Sequence, residues 1–159
     1  MIMSDSDARD DRRQFITFHS AGQEFGADIM TIREIRGWTQ ATSLPHAPSY
    51  VLGVINLRGV VLPVVDLKAR LGRGATAPDP KHVVVVVKAG ERMIGLLVDA
   101  VSDILTVTKS DIQTIPELAR DTQAEFVEGI AVLDNRMVTI LSMERLAASL
   151  VIPQAALAA

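Results

Sequence analysis

The sequence contains no cysteine, which excludes disulfides, thiolate catalysis and cysteine-based zinc sites. Aromatic residues make up only 4% of the 159 residues, so valine, isoleucine and leucine must build the interior. No apolar run approaches the roughly 18 residues that a membrane helix requires, and the N-terminal text MIMSDSDARDDRR is too polar for a signal peptide. The formal net charge of -3 argues against nucleic acid as a partner. We therefore expect a cytoplasmic protein without direct membrane insertion.

What the sequence does contain is a weak internal repeat, which predicts two similar modules. The segment at 25–35 aligns with the segment at 94–104, so that Glu34 meets Asp103. In the same register QFITF at 14–18 meets VVVVV at 83–87. Gly53 and Gly129 match further along, as do the helix-cap positions Asp66 and Ser142. The alternative is a chance alignment of apolar strands, against which the matched glycine, acid and cap positions argue.

Short strands separated by turn residues dominate both halves. In the first half, alternating apolar residues between Gly and Pro punctuation predict strands at 15–18, 24–29, 35–43, 51–57 and 60–65. Asp66 is expected to cap a short helix ending near Gly72, and Ser142 a helix over 143–150. The pattern predicts an all-β fold of two small barrels, with an open sandwich as the competing architecture.

No arrangement of polar residues suggests catalysis. The three histidines lie in unrelated segments without metal-ligand spacing, and the aspartates of the apolar segments fit caps, strand ends and turns. Two charges remain unexplained, because Glu34 and Arg58 both stand among apolar residues. A mutual ion pair is predicted for them, since guanidinium matches carboxylate geometry. Matching apolar positions of the two halves are expected either in the core or on an exposed seam between the modules; they are Ile29, Ile32, Val98, Val101 and Ile104.

Four segments closely resemble the signature segments of the CheW family, in order and spacing, and the resemblance runs from about Gln14 to Leu150. These segments are FGADIMTIREIRGW, PSYVLGVINLRGVVLPVVDL, GLLVDAVSDIL and EFVEGIAVLDNRMVTILSMERL. The resemblance implies two five-stranded SH3-like barrels packed around a shared core, with a short C-terminal helix. It also implies a non-enzymatic protein without cofactor or metal. Such proteins couple the cytoplasmic tip of methyl-accepting chemoreceptors to the regulatory domain of the histidine kinase CheA.

The composition and the repeat set the expected boundaries, and the resemblance implies the sites. A disordered tail is expected over 1–12, a first barrel over 13–71, a linker over 72–81, a second barrel over 82–150 and a flexible tail over 151–159, with strands exchanged between barrels as an open possibility. The implied receptor groove comprises Ile32, Glu34, Gly53, Arg58, Val98, Val101 and Ile104. The implied kinase-binding surface comprises Thr39, Gln40, Ala41, Thr42 and Ser43. The alternatives are a CheW-like module of a non-flagellar signalling array and an unrecognised small β-barrel enzyme.

Overall fold

The computed structural model describes residues 11–114 and 125–153. The strands are β1 (Arg12–Ser20), β2 (Gln23–Asp28), β3 (Ile32–Gly37), β4 (Val51–Leu57), β5 (Val60–Asp66), β6 (Val83–Ala89), β7 (Arg92–Val98), β8 (Ala100–Thr108), β9 (Ile112–Gln113), β10 (Val127–Leu133) and β11 (Arg136–Leu141). The α-helices are α1 (Leu67–Arg70) and α2 (Met143–Ala148), and single 3₁₀ turns occur at Ile29–Thr31 and Lys109–Asp111. The prediction of an all-β fold with a short C-terminal helix is confirmed.

The strands form two sheets, and each sheet takes strands from both halves of the sequence. One sheet has the order β8-β1-β2-β11-β10-β9, and the other has the order β3-β6-β7-β5-β4. Among the described residues, the first sheet therefore consists of the first two strands and the last four, while the second is built from the contiguous segment 32–98. Relative to the expected barrels at 13–71 and 82–150, strands are exchanged, because β1 and β2 join strands of the second half while β6 and β7 join strands of the first.

The internal repeat is visible in the pairing of the strands. Replacing each strand of β3-β6-β7-β5-β4 by its repeat partner gives β8-β1-β2-β11-β10, so the two five-stranded units have one topology. The registers agree as well, since Gly26 lies opposite Ile140 in one parallel pair and Gly95 lies opposite Val64 in the other. A Cβ at Gly95 would overlap the Val84 side chain at 2.8 Å, which explains a glycine at this close approach.

One apolar core lies between the two units and is shared by them. Its buried members include Phe18 and Phe25 of one sheet, Val85 and Leu96 of the other, and Leu146 of α2. Two smaller clusters fill the individual units. Ile152 is buried in the shared core and Arg12 begins β1, so the predicted tails are shorter than 1–12 and 151–159. The remainder of those tails lies outside the described residues.

Two local predictions were wrong. A strand was expected over 35–43, but β3 ends at Gly37, and Thr42 makes only an isolated bridge to Val54. Asp66 occupies the N-cap position of α1 without making a side-chain cap. Its buried carboxylate instead accepts hydrogen bonds from the backbone N–H and the hydroxyl of Thr76, at 2.7 and 2.8 Å. Asp66 thus fastens the linker rather than the helix.

The predicted cap of α2 is confirmed. The Ser142 hydroxyl accepts a hydrogen bond from the Arg145 backbone N–H at 3.2 Å, which satisfies one of the free donors of the first turn. The helix places Met143, Leu146 and Ala147 in the shared core. Its end at Ala148, rather than at 150, lies within the usual variation of helix termini.

Candidate functional site

Three of the apolar residues expected in the receptor groove, Ile32, Val101 and Ile104, lie on β3 and β8, which are outer strands of their respective sheets. Ile32 on β3 and Val101 on β8 are partly buried and pack against the shared core. Their neighbours Ile35 and Ile104, also matched by the repeat, are 43% and 54% exposed. Each outer strand therefore offers one half-buried and one exposed apolar side chain to an approaching partner.

Both outer strands carry a β-bulge at the same place in the repeat. In β3 the register shifts between Ile32, opposite Val87, and Glu34, opposite Val86. In β8 the residues from Val101 to Ile104 face only the three residues from Phe18 to Ile16, so one extra residue is again inserted. A bulge bends a strand, increases its twist and changes where its side chains point. The acids Glu34 and Asp103 lie within these irregular segments.

The predicted ion pair between Glu34 and Arg58 is present. Arg58 Nη1 lies 3.2 Å from Glu34 Oε2, and Nη2 donates a hydrogen bond to Oε1 at 3.4 Å. The Arg58 side chain is 78% exposed, whereas that of Glu34 is 25% exposed. Arg58 and Gly59 form the two-residue turn between β4 and β5, with φ values of 51° and 86°. The pair therefore joins the tip of one edge hairpin to the bulge of the opposite edge strand.

A second and denser cluster surrounds Arg136 at the bulge of β8. The guanidinium donates to Glu24 through Nε–Oε1 at 2.8 Å and Nη2–Oε2 at 2.7 Å. The same Nη2 also donates to Asp103 Oδ1 at 2.7 Å, and the Thr17 hydroxyl donates to that oxygen at 2.6 Å. Hydrogen bonding to Arg136 is the main reason why the pKa values of Glu24 and Asp103 lie below their ordinary range. The pKa of Arg136 is raised by the same contacts.

Sequence reasoning missed this cluster because Arg136 lies 33 to 119 residues from its partners in the sequence. One signal was available, since the repeat aligns Asp103 with Glu34, for which an arginine partner was predicted. Asp103 was instead interpreted as a strand-end residue. In the structure it lies inside β8, where the bulge turns its carboxylate towards Arg136.

Two residues of the expected receptor groove are buried and cannot contact a partner directly in this conformation. Val98 is 1% exposed and belongs to the shared core. Gly53 has a φ of 145°, and a Cβ at this position would overlap the backbone of Thr42. Gly129 is its repeat partner, and a Cβ there would overlap the backbone of Gln113. These glycines allow a neighbouring segment to approach β4 and β10 closely, so their role is structural.

The segment expected to bind the kinase is an exposed loop fixed at one point. Thr39, Gln40, Thr42 and Ser43 are exposed, while Ala41 is partly buried against a small cluster. Thr42 exchanges two backbone hydrogen bonds with Val54, at 2.9 and 2.8 Å. The loop thus presents polar side chains from a defined backbone position.

Within residues 11–114 and 125–153, no group of three or more His, Asp or Glu side chains could hold a metal ion. His82 Nδ1 accepts a hydrogen bond from the Asp79 backbone N–H at 2.9 Å, so this histidine organises the end of the linker. Among the same residues, no helix is both long and apolar enough to cross a membrane.

Comparison with known proteins gives a consistent result across sequence and structure. The CheW-like domain family matches residues 14–151. The probable chemotaxis protein CheW of Rhizobium etli is 52% identical over 134 residues, which cover 84% of this chain and 86% of that protein. The chemotaxis protein CheW of Rhizobium meliloti is also 52% identical, over 132 residues, with coverage of 83% and 85%. The crystal structure of the scaffolding protein TtCheW from Thermoanaerobacter tengcongensis superposes with a TM-score of 0.76 at 32% identity, covering 82% of this chain and 89% of that one. This chain belongs to the CheW family of chemotaxis proteins.

Proposed function

We infer that this protein is a non-enzymatic coupling protein that binds chemoreceptors and the histidine kinase CheA at the same time. On the receptor side it contacts the cytoplasmic tip of methyl-accepting chemoreceptors, and on the kinase side it contacts the regulatory domain of CheA. It acts in the cytoplasm and is recruited to membrane-associated receptor arrays, where it supports activation and control of the kinase. Such control requires a coupling free energy between two binding sites.

The observation that carries this proposal is the pair of matched, bulged edge strands with exposed apolar residues. Ile35 and Ile104 stand exposed beside Ile32 and Val101, which rest on the shared core. An amphipathic receptor helix lying across β3 and β8 would bury these side chains, at roughly 25 cal/mol per Å² before entropic costs. The ion pair between Glu34 of β3 and Arg58 of the β4–β5 turn would fix its orientation.

The kinase side rests on the exposed loop 39–43. It begins two residues after the end of β3, and its backbone is anchored at Thr42 to Val54 of β4. Separate surfaces are what a coupler requires, because both partners must bind together.

Reconstitution of receptor membranes, CheA and this protein tests the function. Kinase phosphorylation should rise when the protein is added, and should respond to receptor ligand only in its presence. Ile104→Asp should weaken co-sedimentation with receptor membranes by about tenfold or more, because it leaves a carboxylate under an apolar helix. Met137→Asp is the matched control, since Met137 is another apolar side chain in a strand and is 63% exposed.

The kinase side is tested with Gln40→Arg, which should weaken binding to the CheA regulatory domain and leave receptor co-sedimentation unchanged. Kinase activity and ligand response that are identical with and without the protein would refute the proposed function. Equal losses of receptor binding in Ile104→Asp and Met137→Asp would refute the assignment of the receptor surface.

A further inference from the structure

The bulge of β8 is held in place by side chains to a greater extent than the matching bulge of β3. The residue opposite the β8 bulge is Thr17, whereas its repeat partner opposite the β3 bulge is Val86. We propose that Arg136 is a positioning residue for receptor binding, which fixes the β8 bulge through Asp103 and thereby sets the directions of Val101 and Ile104. This inference rests on the proposed function, because it assigns Val101 and Ile104 to the receptor surface.

One buried hydroxyl binds both the backbone N–H and the carboxylate of Asp103 in the bulge. Ser102 and Asp103 together oppose the single residue Thr17, which is fully buried. The Asp103 backbone N–H, which has no ladder partner there, donates to Thr17 Oγ1 at 3.2 Å. The Thr17 hydroxyl in turn donates to Asp103 Oδ1 at 2.6 Å. The extra residue is thus bound to β1 through a side-chain hydroxyl instead of through the regular backbone hydrogen bonds of the sheet.

Arg136 connects this tie to a rigid part of the sheet. It forms a bidentate pair with Glu24 of β2, whose side chain is 12% exposed, and the geometry of such a pair restricts the guanidinium. From that anchored position Nη2 reaches Asp103 Oδ1 at 2.7 Å and Thr17 Oγ1 at 3.3 Å. The strands β2 and β11 are inner strands with partners on both sides, so β8 is fastened from the interior of its sheet.

The position of the bulge matters because it lies between the two receptor-side residues. Val101 and Ile104 are three residues apart, and in a regular strand they would point to opposite faces. The extra residue changes this alternation and brings both to one face, because Val101 lies opposite Phe18 and Ile104 opposite Ile16, two residues apart on β1. If the bulge could shift along β8, one of the two side chains would change direction.

Arg136→Met tests the inference, because it keeps a long side chain and removes the guanidinium. Arg13→Met is the matched control, since Arg13 also bridges two carboxylates in the same sheet, Asp28 and Glu128, at 3.3 and 3.2 Å. Backbone amide hydrogen exchange of the isolated protein, followed by NMR, should be roughly tenfold faster at Asp103 in Arg136→Met and unchanged there in Arg13→Met. Affinity for receptor membranes without CheA should fall roughly 5- to 30-fold in Arg136→Met only. Affinity for the CheA regulatory domain should not change.

Thr17→Val provides a second variant if Arg136→Met does not fold. It installs the side chain that the other repeat carries and keeps the ion pairs, yet removes the acceptor for the Asp103 amide. The same faster exchange and weaker receptor binding are expected. Relative to Arg136→Met, Arg136→Lys should restore part of the protection from exchange and part of the receptor affinity. Lysine carries the positive charge but lacks the planar guanidinium that binds a carboxylate through two hydrogen bonds.

Three results would overturn the inference. One is wild-type amide exchange at Asp103 in Arg136→Met, and another is an equal effect of Arg13→Met. The third is unchanged receptor affinity despite faster exchange, which would leave the cluster a purely structural device. Failure of the wild-type protein to bind receptor membranes would refute the proposed function itself. Equal receptor binding by the wild type and Arg136→Met would refute only the role of Arg136.

Discussion

Replacing Arg58 by asparagine should separate function from stability at the β4–β5 turn. Arg58 has a φ of 51° and precedes Gly59 at 86°, which is the backbone of a two-residue hairpin turn that favours the sequence Asn-Gly. Arginine is uncommon at positive φ, whereas asparagine tolerates it. The substitution therefore removes the guanidinium and relieves backbone strain at the same time.

Loss of the ion pair and relief of the backbone strain change the free energy of unfolding by similar amounts and with opposite sign. The Arg58 side chain is 78% exposed, and Glu34 Oε2 lies 3.2 Å from it without the geometry of a hydrogen bond. An ion pair of this kind contributes about 0–1 kcal/mol. Relief of the left-handed strain returns about 1 kcal/mol. The net change in the free energy of unfolding should therefore stay within about 1 kcal/mol, or about 2–4 °C in Tm for a chain of this size.

The functional effect should be larger. Without the guanidinium, Glu34 loses its orienting partner at the β3 bulge, and a receptor helix loses one charge at the surface. Activation of CheA in the ternary complex should fall severalfold for Arg58→Asn, and Glu34→Gln combined with Arg58→Asn should lose little more than either change alone. Arg58→Gly is the control, because it relaxes the same backbone and carries no polar side chain.

Three outcomes would refute this reasoning. Wild-type kinase activation by Arg58→Asn would show that the guanidinium has no functional role. A Tm lowered by ten degrees or so would show that the pair is more strongly stabilising than its exposure implies. Strictly additive losses in the double variant would mean that Glu34 and Arg58 act independently.

Three further predictions concern the fold. Gly53→Ala should lower the free energy of unfolding by about 2 kcal/mol or more in urea titrations, because a Cβ at φ 145° overlaps the adjacent loop; an unaffected midpoint would contradict this. Asp66→Asn should cost about 1–3 kcal/mol, since an amide cannot accept both hydrogen bonds from Thr76, whereas Thr76→Ser should be nearly neutral by the same measurement. The pKa values of the two carboxyl groups beside Arg136 lie below their ordinary 4.5 and 3.8, so their stabilising contribution is complete above those values and is lost as the pH falls through the lower folded-state values. Arg136→Met should therefore flatten the acid limb of a stability–pH curve, and an unchanged limb would show that other groups control it.

The sequence predicted those features of the fold that depend on matched local patterns. The repeat placed Gly26 with Gly95 and Gly53 with Gly129, and in the structure each pair occupies equivalent positions of its unit. The cap of α2 could be predicted because Ser142 stands directly before the helix, where its hydroxyl accepts a hydrogen bond from the Arg145 backbone N–H. These features are encoded within a few residues and need no knowledge of tertiary contacts.

The features that the sequence did not predict depend on contacts between distant segments. Val98 was assigned to the partner groove, although alternation along β7 cannot distinguish the face towards the shared core from the face towards solvent. Asp66 fitted the pattern of a helix cap, but its carboxylate accepts hydrogen bonds from the backbone N–H and the hydroxyl of Thr76, ten residues later in the linker. The Arg136 cluster requires β2, β8 and β11 to come together, which only the assembled sheet shows.

The arrangement of the sheets also affects the order in which the chain can fold. All strands of the five-stranded sheet lie within residues 32–98, so this sheet can be completed while the rest of the protein is still being synthesised. The earlier strands β1 and β2 must wait for β8 and β11, and at roughly 5–20 residues per second the delay lasts several seconds. During that time Phe15, Phe18 and Phe25 have no sheet partner from the second half and expose apolar surface. The ribosome-bound chain should therefore be vulnerable to aggregation and to chaperone capture until β11 has emerged, and nascent chains ending before Arg136 should be the most sensitive to protease.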